Sequence, residues 1–334
     1  MLLCIPKFKI MKLLFFFLLL SNVVFAQENK EFYSSLIIEN TSDVIKLEKD
    51  LSYYYMTASN SYLAWYEGYT NKVYYKNLLT EEVTNLKFKS GRGPYEILSL
   101  RGLAIANNHL FILDSQGNKI LKFNFEKGIF ESEMSTGGTR IIFITSSNNQ
   151  LYGKGVNRNG IYFEIGFDKE VIVPLKNSLE QKEILDLTNN MFRFEGPFLA
   201  NNEYLISVRN YEPSMFISEL EGEIKEFDYD RANFEPEYEF NEFGIATRPP
   251  SKLSMRIYDA ALKPNSNIVY LAREGYTVEY PENNRSVLYK YDYVKREYVG
   301  VLETENESIG KIATNDKYIF IYDDKNFTIT KIKL

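Results

Sequence analysis

The chain has 334 residues, a formal net charge of −6, 15% aromatic side chains, one cysteine and one histidine. An acidic chain without a basic stripe is a poor partner for nucleic acid, and a single Cys with a single His can build neither a disulfide nor a zinc site. The 26 Tyr and 24 Phe against one Trp favour pleated, half-buried surfaces, so the composition leans all-β.

The first segment reads as an export signal. Lys7, Lys9 and Lys12 precede the apolar run 13–20, and Val24, Phe25 and Ala26 suit a signal peptidase. Residues 1–26 are predicted to be removed, leaving 27–334 as one domain. The apolar run is shorter than the roughly 20 residues of a comfortable membrane span. Gln27 stands where a lipoprotein needs Cys, so no stable membrane anchor is expected and the protein is placed in the periplasm or outside the cell. Cys4 leaves with the signal. Three lysines leave too, which gives 36 basic against 45 acidic side chains and a net charge of −9.

A short strand phrase then recurs six times. It begins at Tyr62, His109, Gln150, Glu203, Asn267 and Lys317, at intervals of 47, 41, 53, 64 and 50 residues. A period of about 40–50 residues of pure strand is what a propeller blade needs. A strand pattern precedes each phrase, at 53–58, 102–106, 140–145, 194–199, 257–262 and 310–314. A second strand follows each, as at 71–77, 118–124 and 286–292, and a third follows in most, as at 83–88, 129–134 and 298–302. Four strands per unit and six units predict an all-β, six-bladed β-propeller of four-stranded antiparallel blades.

The sixth unit reaches the last residue after three strands. Residues 44–48 have the right length to supply its missing outer strand, which would close the ring and remove a free sheet edge. The best helix candidate, 179–187, is short enough to need tertiary support.

In a four-stranded blade, the connection between the second and third strands emerges on the same face as the connection to the next blade. The longest connections, 90–100, 176–193, 231–255 and 275–285, belong to those two classes. Long loops are where binding residues concentrate, so that face is expected to carry the function. Arg92, Tyr95, Glu96, Arg101, Arg140, Arg193, Arg209, Arg256, Arg273 and Tyr276 all fall on it or at strand ends opening toward it. Such arginines would form an anion-binding mouth, and the tyrosines would stack against sugar or peptide. The competing reading pairs each arginine with an acid across an ordinary inter-blade contact.

The most distinctive short string is Gly91, Arg92, Gly93, Pro94, Tyr95, Glu96. Two glycines and a proline fix a tight turn, and no Gly-Lys-Ser/Thr follows to make it a phosphate loop. Together with 101–104 and 113–123, it resembles the secreted six-bladed β-propellers of Bacteroidota, relatives of NHL-repeat and TolB-like propellers, which show Gly-x-Gly-Pro-Gly-Glu ahead of a blade. The close match covers 88–124, and Tyr95 departs from it where the pattern has Gly. The resemblance implies a signal peptide, a propeller and export. It implies no catalytic residue, and it associates the chain with polysaccharide or nutrient uptake.

His109 opens its strand phrase at a slot that is polar in most copies, on the face with short turns, so a turn role is expected and a Ser-His-Asp triad is not. Carboxylate chemistry survives: Glu96, Asp114, Asp259, Asp323 and Asp324 lie nearest the elaborated face and are the candidates for an acid/base pair or a calcium site. The functional expectation is a non-enzymatic binder of a glycan, peptide or protein partner on the loop-rich face, without a cofactor. The alternative is a carboxylate- or calcium-dependent hydrolase or lyase in the channel mouth.

Overall fold

The computed structural model describes residues 43–47, 53–68, 71–157, 160–175, 195–210, 214–220, 224–228, 239–240, 246–247, 257–273, 287–304, 306 and 308–334. The chain starts this set with β1 (Asp43–Lys46). Blade 1 is β2 (Tyr53–Ala58), β3 (Tyr62–Glu67), β4 (Lys72–Asn77) and β5 (Val83–Lys87). Blade 2 is β6 (Leu100–Ala106), β7 (His109–Asp114), β8 (Lys119–Asn124) and β9 (Ile129–Ser135). Blade 3 is β10 (Arg140–Ser147), β11 (Gln150–Asn157), β12 (Gly160–Gly166) and β13 (Val171–Pro174). Blade 4 is β14 (Phe198–Ala200), β15 (Tyr204–Val208), β16 (Ser214–Glu219) and β17 (Ile224–Asp228). A small hairpin, β18 (Glu239–Phe240) with β19 (Ala246–Thr247), precedes blade 5, which is β20 (Ile257–Leu262), β21 (Ile268–Arg273), β22 (Val287–Asp292) and β23 (Glu297–Glu303). Blade 6 is β24 (Ile309–Thr314), β25 (Tyr318–Asp323) and β26 (Thr328–Lys333), completed on its outside by β1.

Each blade is a four-stranded antiparallel sheet in simple up-and-down order. The innermost strands β2, β6, β10, β14, β20 and β24 neighbour one another in a closed ring. The molecule is therefore a six-bladed β-propeller, shut by β1 lying antiparallel to β26 with Val44 opposite Thr330 and Ile45 opposite Ile329. The expected closing strand is present, beginning and ending within a residue or two of its predicted limits. The helix candidate 179–187 lies outside the described residues, as do residues 1–42. Among the described residues no helix is long and apolar enough to cross a membrane.

Period-two alternation builds the core. Both faces of a blade pack on neighbours, so a middle strand such as β3 is buried along its whole length and reads as a continuous apolar run. Leu63 and Trp65 face blade 6, where they join Phe320, Tyr322 and Ile329. Ala64 and Tyr66, one residue out of step, face blade 2 with Leu110 and Ile112. The same division holds around the ring, and the buried apolar side chains described form six clusters, one per seam. Every ring element thus depends on two neighbours. Ile45 and Leu47 pack on the seam between the last and first blades, so the chain's beginning helps seal its end.

The hairpins joining first to second strands are punctuated by asparagine in each blade. Asn107 with Asn108 and Asn148 with Asn149 take positive φ in pairs, the backbone that a two-residue hairpin needs for its twist to match the strands. Asn201 and Asn315 instead accept backbone N–H groups two and three residues on. These turns also tie blades together: the Asn107 N–H donates to Asn149 Oδ1 at 3.1 Å, and Asn315 Nδ2 donates to the Ser59 carbonyl at 3.0 Å. His109 sits beside them, its Nδ1 2.6 Å from the Asn107 carbonyl oxygen and its Nε2 2.9 Å from Glu131 Oε2. That is the structural turn position expected of it.

Candidate functional site

The innermost strands begin on the loop-rich face, and there the ladder is irregular. A β-bulge interrupts the first-to-second strand pairing at the same register in blades 1, 2, 3, 5 and 6, between Tyr53 and Tyr55, Leu100 and Gly102, Ile141 and Phe143, Ile257 and Asp259, and Ile309 and Lys311. A bulge adds one residue, bends the strand and re-aims side chains. Blade 4 reaches the same place differently, with Gly196 at φ +147°.

The result is a throat to which every blade contributes. Tyr55, Arg101, Phe143, Glu195, Asp259 and Lys311 come from blades 1 to 6 in turn, and all line the central channel. The channel has a volume of about 700 Å³, and Asn60, Asn149, Asn202, Asn265 and Asp316 surround its far end. A cavity of that size is ordinary for a small ligand or the tip of a larger one.

The throat's electrostatics are mixed. Arg101 is exposed at the throat, and its charge bears on the Tyr55 hydroxyl. Burial raises the Tyr55 pKa, the nearby Arg101 charge opposes that rise without cancelling it, and the Glu195 and Asp259 charges add to it. Asp259 Oδ2 accepts the Ile312 N–H at 2.9 Å, tying blade 5 to blade 6. Burial also raises the Asp259 pKa, against the opposing Lys311 charge and the backbone donors. Behind Glu195 lie two buried cations. Lys154 Nζ donates to Ser207 Oγ at 2.6 Å and sits 4.9 Å above the Phe143 ring, while the Arg209 guanidinium lies 4.3 Å above Phe216. Burial, then the Arg209 charge, lower the Lys154 pKa to about 7, and Glu195 pulls the other way.

Of the residues chosen from sequence, Arg101 and Asp259 line the throat. Arg209 is fully buried at the end of its strand rather than open to the mouth. Arg140 is exposed at the start of β10. Arg193, Arg256 and Tyr276 lie outside the described residues, as does the side chain of Arg273. Arg92, Tyr95 and Glu96 sit on the loop before blade 2, which is firmly braced. Glu96 Oε2 accepts the Gly93 N–H at 2.8 Å, and a Cβ on Gly91 would lie 2.1 Å from that same oxygen. Tyr95 holds φ +57°, the left-handed backbone for which the related pattern uses Gly. Its ring stacks on Phe130 at 5.5 Å, and its N–H donates to Glu133. Asp114, fully buried, accepts the N–H groups of Leu98, Ser99 and Gly117. Asp323 likewise accepts the N–H groups of Lys325 and Asn326. These acids organise turns. Among the described residues no three His, Cys, Asp or Glu side chains gather as a metal site.

Tyr55, Phe143, Glu195 and Lys311 escaped the sequence reading, and so did Lys154. One signal was present for the last. Counting from the observed strand starts, the fifth position of the second strand is Tyr66, Leu113, Lys154, Val208, Ala272 and Tyr322, a lone lysine in an otherwise apolar slot.

Gly196 offers a direct check on how blade 4 presents Glu195. A Cβ there would lie 1.9 Å from the Val208 carbonyl oxygen and 3.0 Å from the Asn210 nitrogen. Both are backbone atoms that cannot swing aside, and this φ region is essentially closed to other residues. Gly196→Ala is expected to cost about 3 kcal/mol or more. Gly128→Ala, also at positive φ but with nothing within 4 Å, should cost only about 1–2 kcal/mol. Urea unfolding of the two variants measures the difference, and equal midpoints would refute this account of blade 4.

No protein-family model matches the chain, and no curated protein matches it in sequence. Solved structures do match in shape. The β-propeller domain of Myceliophteria thermophila Cps50 (Swd1) superposes with a TM-score of 0.51 at 13% identity, over 88% of this chain and 99% of that one. Virginiamycin B lyase from Staphylococcus aureus gives the same four values. Kuenenia stuttgartiensis hydrazine synthase gives 0.50 at 10% identity, over 90% and 99%. The likeness is one of fold. At such identities it transfers no activity, and the site must be read from its own residues.

Proposed function

We propose that the protein is an exported, non-enzymatic binder that receives a peptide or protein partner on its loop-rich face, over the channel throat. The observation that carries this reading is the convergence of one side chain from each blade at the throat, five of them set at or beside a bulge and the sixth, Glu195, beside Gly196 in blade 4. Bulges at a fixed register cost ladder hydrogen bonds in blade after blade, and that cost is understandable where side chains must be aimed. A ring holding both charge signs, a phenol and a phenyl suits the mixed chemistry of a peptide better than the uniform hydroxyls of a neutral glycan. Export is supported by residues 1–26, and kinship with the secreted propellers of Bacteroidota by residues 88–124.

The test is capture from peptide and glycan arrays by the chain lacking residues 1–26. Peptides should be retained, Lys311→Ala should weaken retention about tenfold, which corresponds to about 1.4 kcal/mol, and Asn108→Ala on the opposite face should not. Retention of neutral glycans alone, or equal loss in both variants, would overturn the reading. One observation favours a second one. Asp259 and Tyr55 are both held toward their protonated forms in one throat, as a general acid would be, so a carboxylate-dependent hydrolase or lyase would show as array ligands cleaved by the wild type and intact with Asp259→Asn.

A further inference from the structure

We infer that the opposite end of the channel carries a second binding site, a recess between blades 1 and 2 that takes a neutral glycan. The inference is independent of the partner proposed for the loop-rich face.

At that end neighbouring blades are tied side to side. Blades 2 and 3 are joined by the Asn107 N–H donating to Asn149 Oδ1, and blades 3 and 4 by Ser147 Oγ donating to Asn202 Oδ1 at 3.2 Å. Asn201 Nδ2 donates to the Tyr293 hydroxyl at 2.6 Å across blades 4 and 5. The Thr314 hydroxyl donates to the Leu262 carbonyl across blades 5 and 6, and Asn60 exchanges hydrogen bonds with Asp316 across blades 6 and 1. Between blades 1 and 2, among the described residues, no hydrogen bond joins hairpin 59–61 to hairpin 107–108. Those blades meet through Tyr62 stacked on Phe125, with ring centroids 4.0 Å apart. At this untied seam a recess of about 480 Å³ opens, a volume within the ordinary range for a small ligand.

Ser59, Asn60, Ser61, Asn107 and Asn149 line the recess, and among the described residues no charged side chain does. The ties to neighbouring blades hold the carboxamides in place and leave part of each of two of them unused. Asn149 accepts through Oδ1, while its Nδ2 has no protein partner among the described residues. Asn107 Nδ2 donates to the Asn149 carbonyl at 3.4 Å, while its Oδ1 has none. The Ser61 hydroxyl is likewise without a partner there; only its backbone N–H is engaged, on Ser59 Oγ. The recess therefore offers a fixed donor, a fixed acceptor and a hydroxyl that serves as both. The hydroxyls of a neutral sugar donate and accept in the same way. A charged ligand would give up water here without meeting a counter-charge. The adjoining residues Ile105 and Ala106 supply a small apolar wall for the C–H face of a sugar ring.

The experiment presents the chain lacking residues 1–26 to an array of neutral oligosaccharides (glucans, mannans, galactans and xylans), of uronate-containing and sulfated oligosaccharides, and of peptides. Neutral oligosaccharides should be retained about tenfold better than acidic ones. Asn149→Asp keeps the acceptor of the tie and removes the unused donor, and should weaken that retention about tenfold. Ser61→Ala should weaken it about threefold, and Ser61→Trp, which fills the recess without breaking a tie, should abolish it. Peptide retention should be the same in all three variants. Thermal melts confirm that the variants fold, and the neutral-over-acidic preference needs only the wild type. Neutral-glycan retention untouched by the variants would overturn the recess, and a preference for acidic oligosaccharides would overturn the ligand class. Retention of no oligosaccharide would overturn the inference and leave the peptide reading standing. Neutral glycans held through the recess with no peptide retained would support it and overturn that reading instead.

Discussion

Oxidised protein carrying Val44→Cys and Thr330→Cys is expected to melt well above its reduced form. The two residues face each other across the β1–β26 ladder, and the sequence's only native cysteine is Cys4, so a chain lacking residues 1–26 offers no competing thiol. The bond would close a loop spanning nearly the whole ring. In the chain-entropy picture, a loop that long stabilises by about 5 kcal/mol, which for a protein of this size is about 10 °C in Tm. The gain has a structural reason as well as an entropic one. Blades 1 and 6 meet through Trp65, Phe320 and Ile329, with Ile45 packed against them, and unfolding that opens the ring must separate this seam or another. A free-thiol assay and a melting curve in oxidant and reductant decide the matter. Failure of the pair to oxidise would mean that β1 does not lie on β26 in this register.

That closure was legible in the sequence because it answers a counting problem. Six copies of the phrase need twenty-four strands, the last copy lacks one, and Ile45 and Leu47 alternate with Lys46 and Glu48 near the beginning. The blades were legible for a related reason: with both faces buried, their middle strands carry apolar residues at nearly every position, and Asn-rich turns separate them. The throat was not legible. Its residues are scattered one per blade, five at or beside a bulge and Glu195 beside Gly196, and these are backbone events without a composition of their own. Arg101 was found as one of the arginines at strand ends opening toward the loop-rich face, while the glycine motif near it, with Tyr95 at positive φ and Glu96 folded onto Gly93, braces a loop. Tyr55 and Lys311 look like ordinary strand residues, and only the ring geometry brings them together. Loop sequence drew attention to one face of the disc, while the residues that meet at its centre belong to strand beginnings.

Lys154→Met is expected to raise stability at neutral pH and to remove a pH dependence that the wild type shows. Lys154 is 1% exposed, and burial together with the Arg209 charge brings its pKa down to about 7 from an ordinary value of 10.5. Between those values the unfolded chain holds a proton at this residue that the folded chain has released. Stability must therefore rise with pH across the window, at about 1.4 kcal/mol per unit. The window closes near pH 9.5, because buried tyrosines such as Tyr162 and Tyr270, whose pKa values burial raises, begin to favour the unfolded state once its own tyrosines ionise. Replacing a buried charge with an apolar side chain of similar length typically gains about 1–4 kcal/mol. Urea midpoints at pH 7, 8 and 9 should climb in the wild type and stay level in Lys154→Met; parallel curves would show that the residue is not the source. A lysine that costs the fold this much stands directly behind Phe143 and Glu195, and stability given up beside a throat is the expected mark of a site shaped for binding rather than for folding.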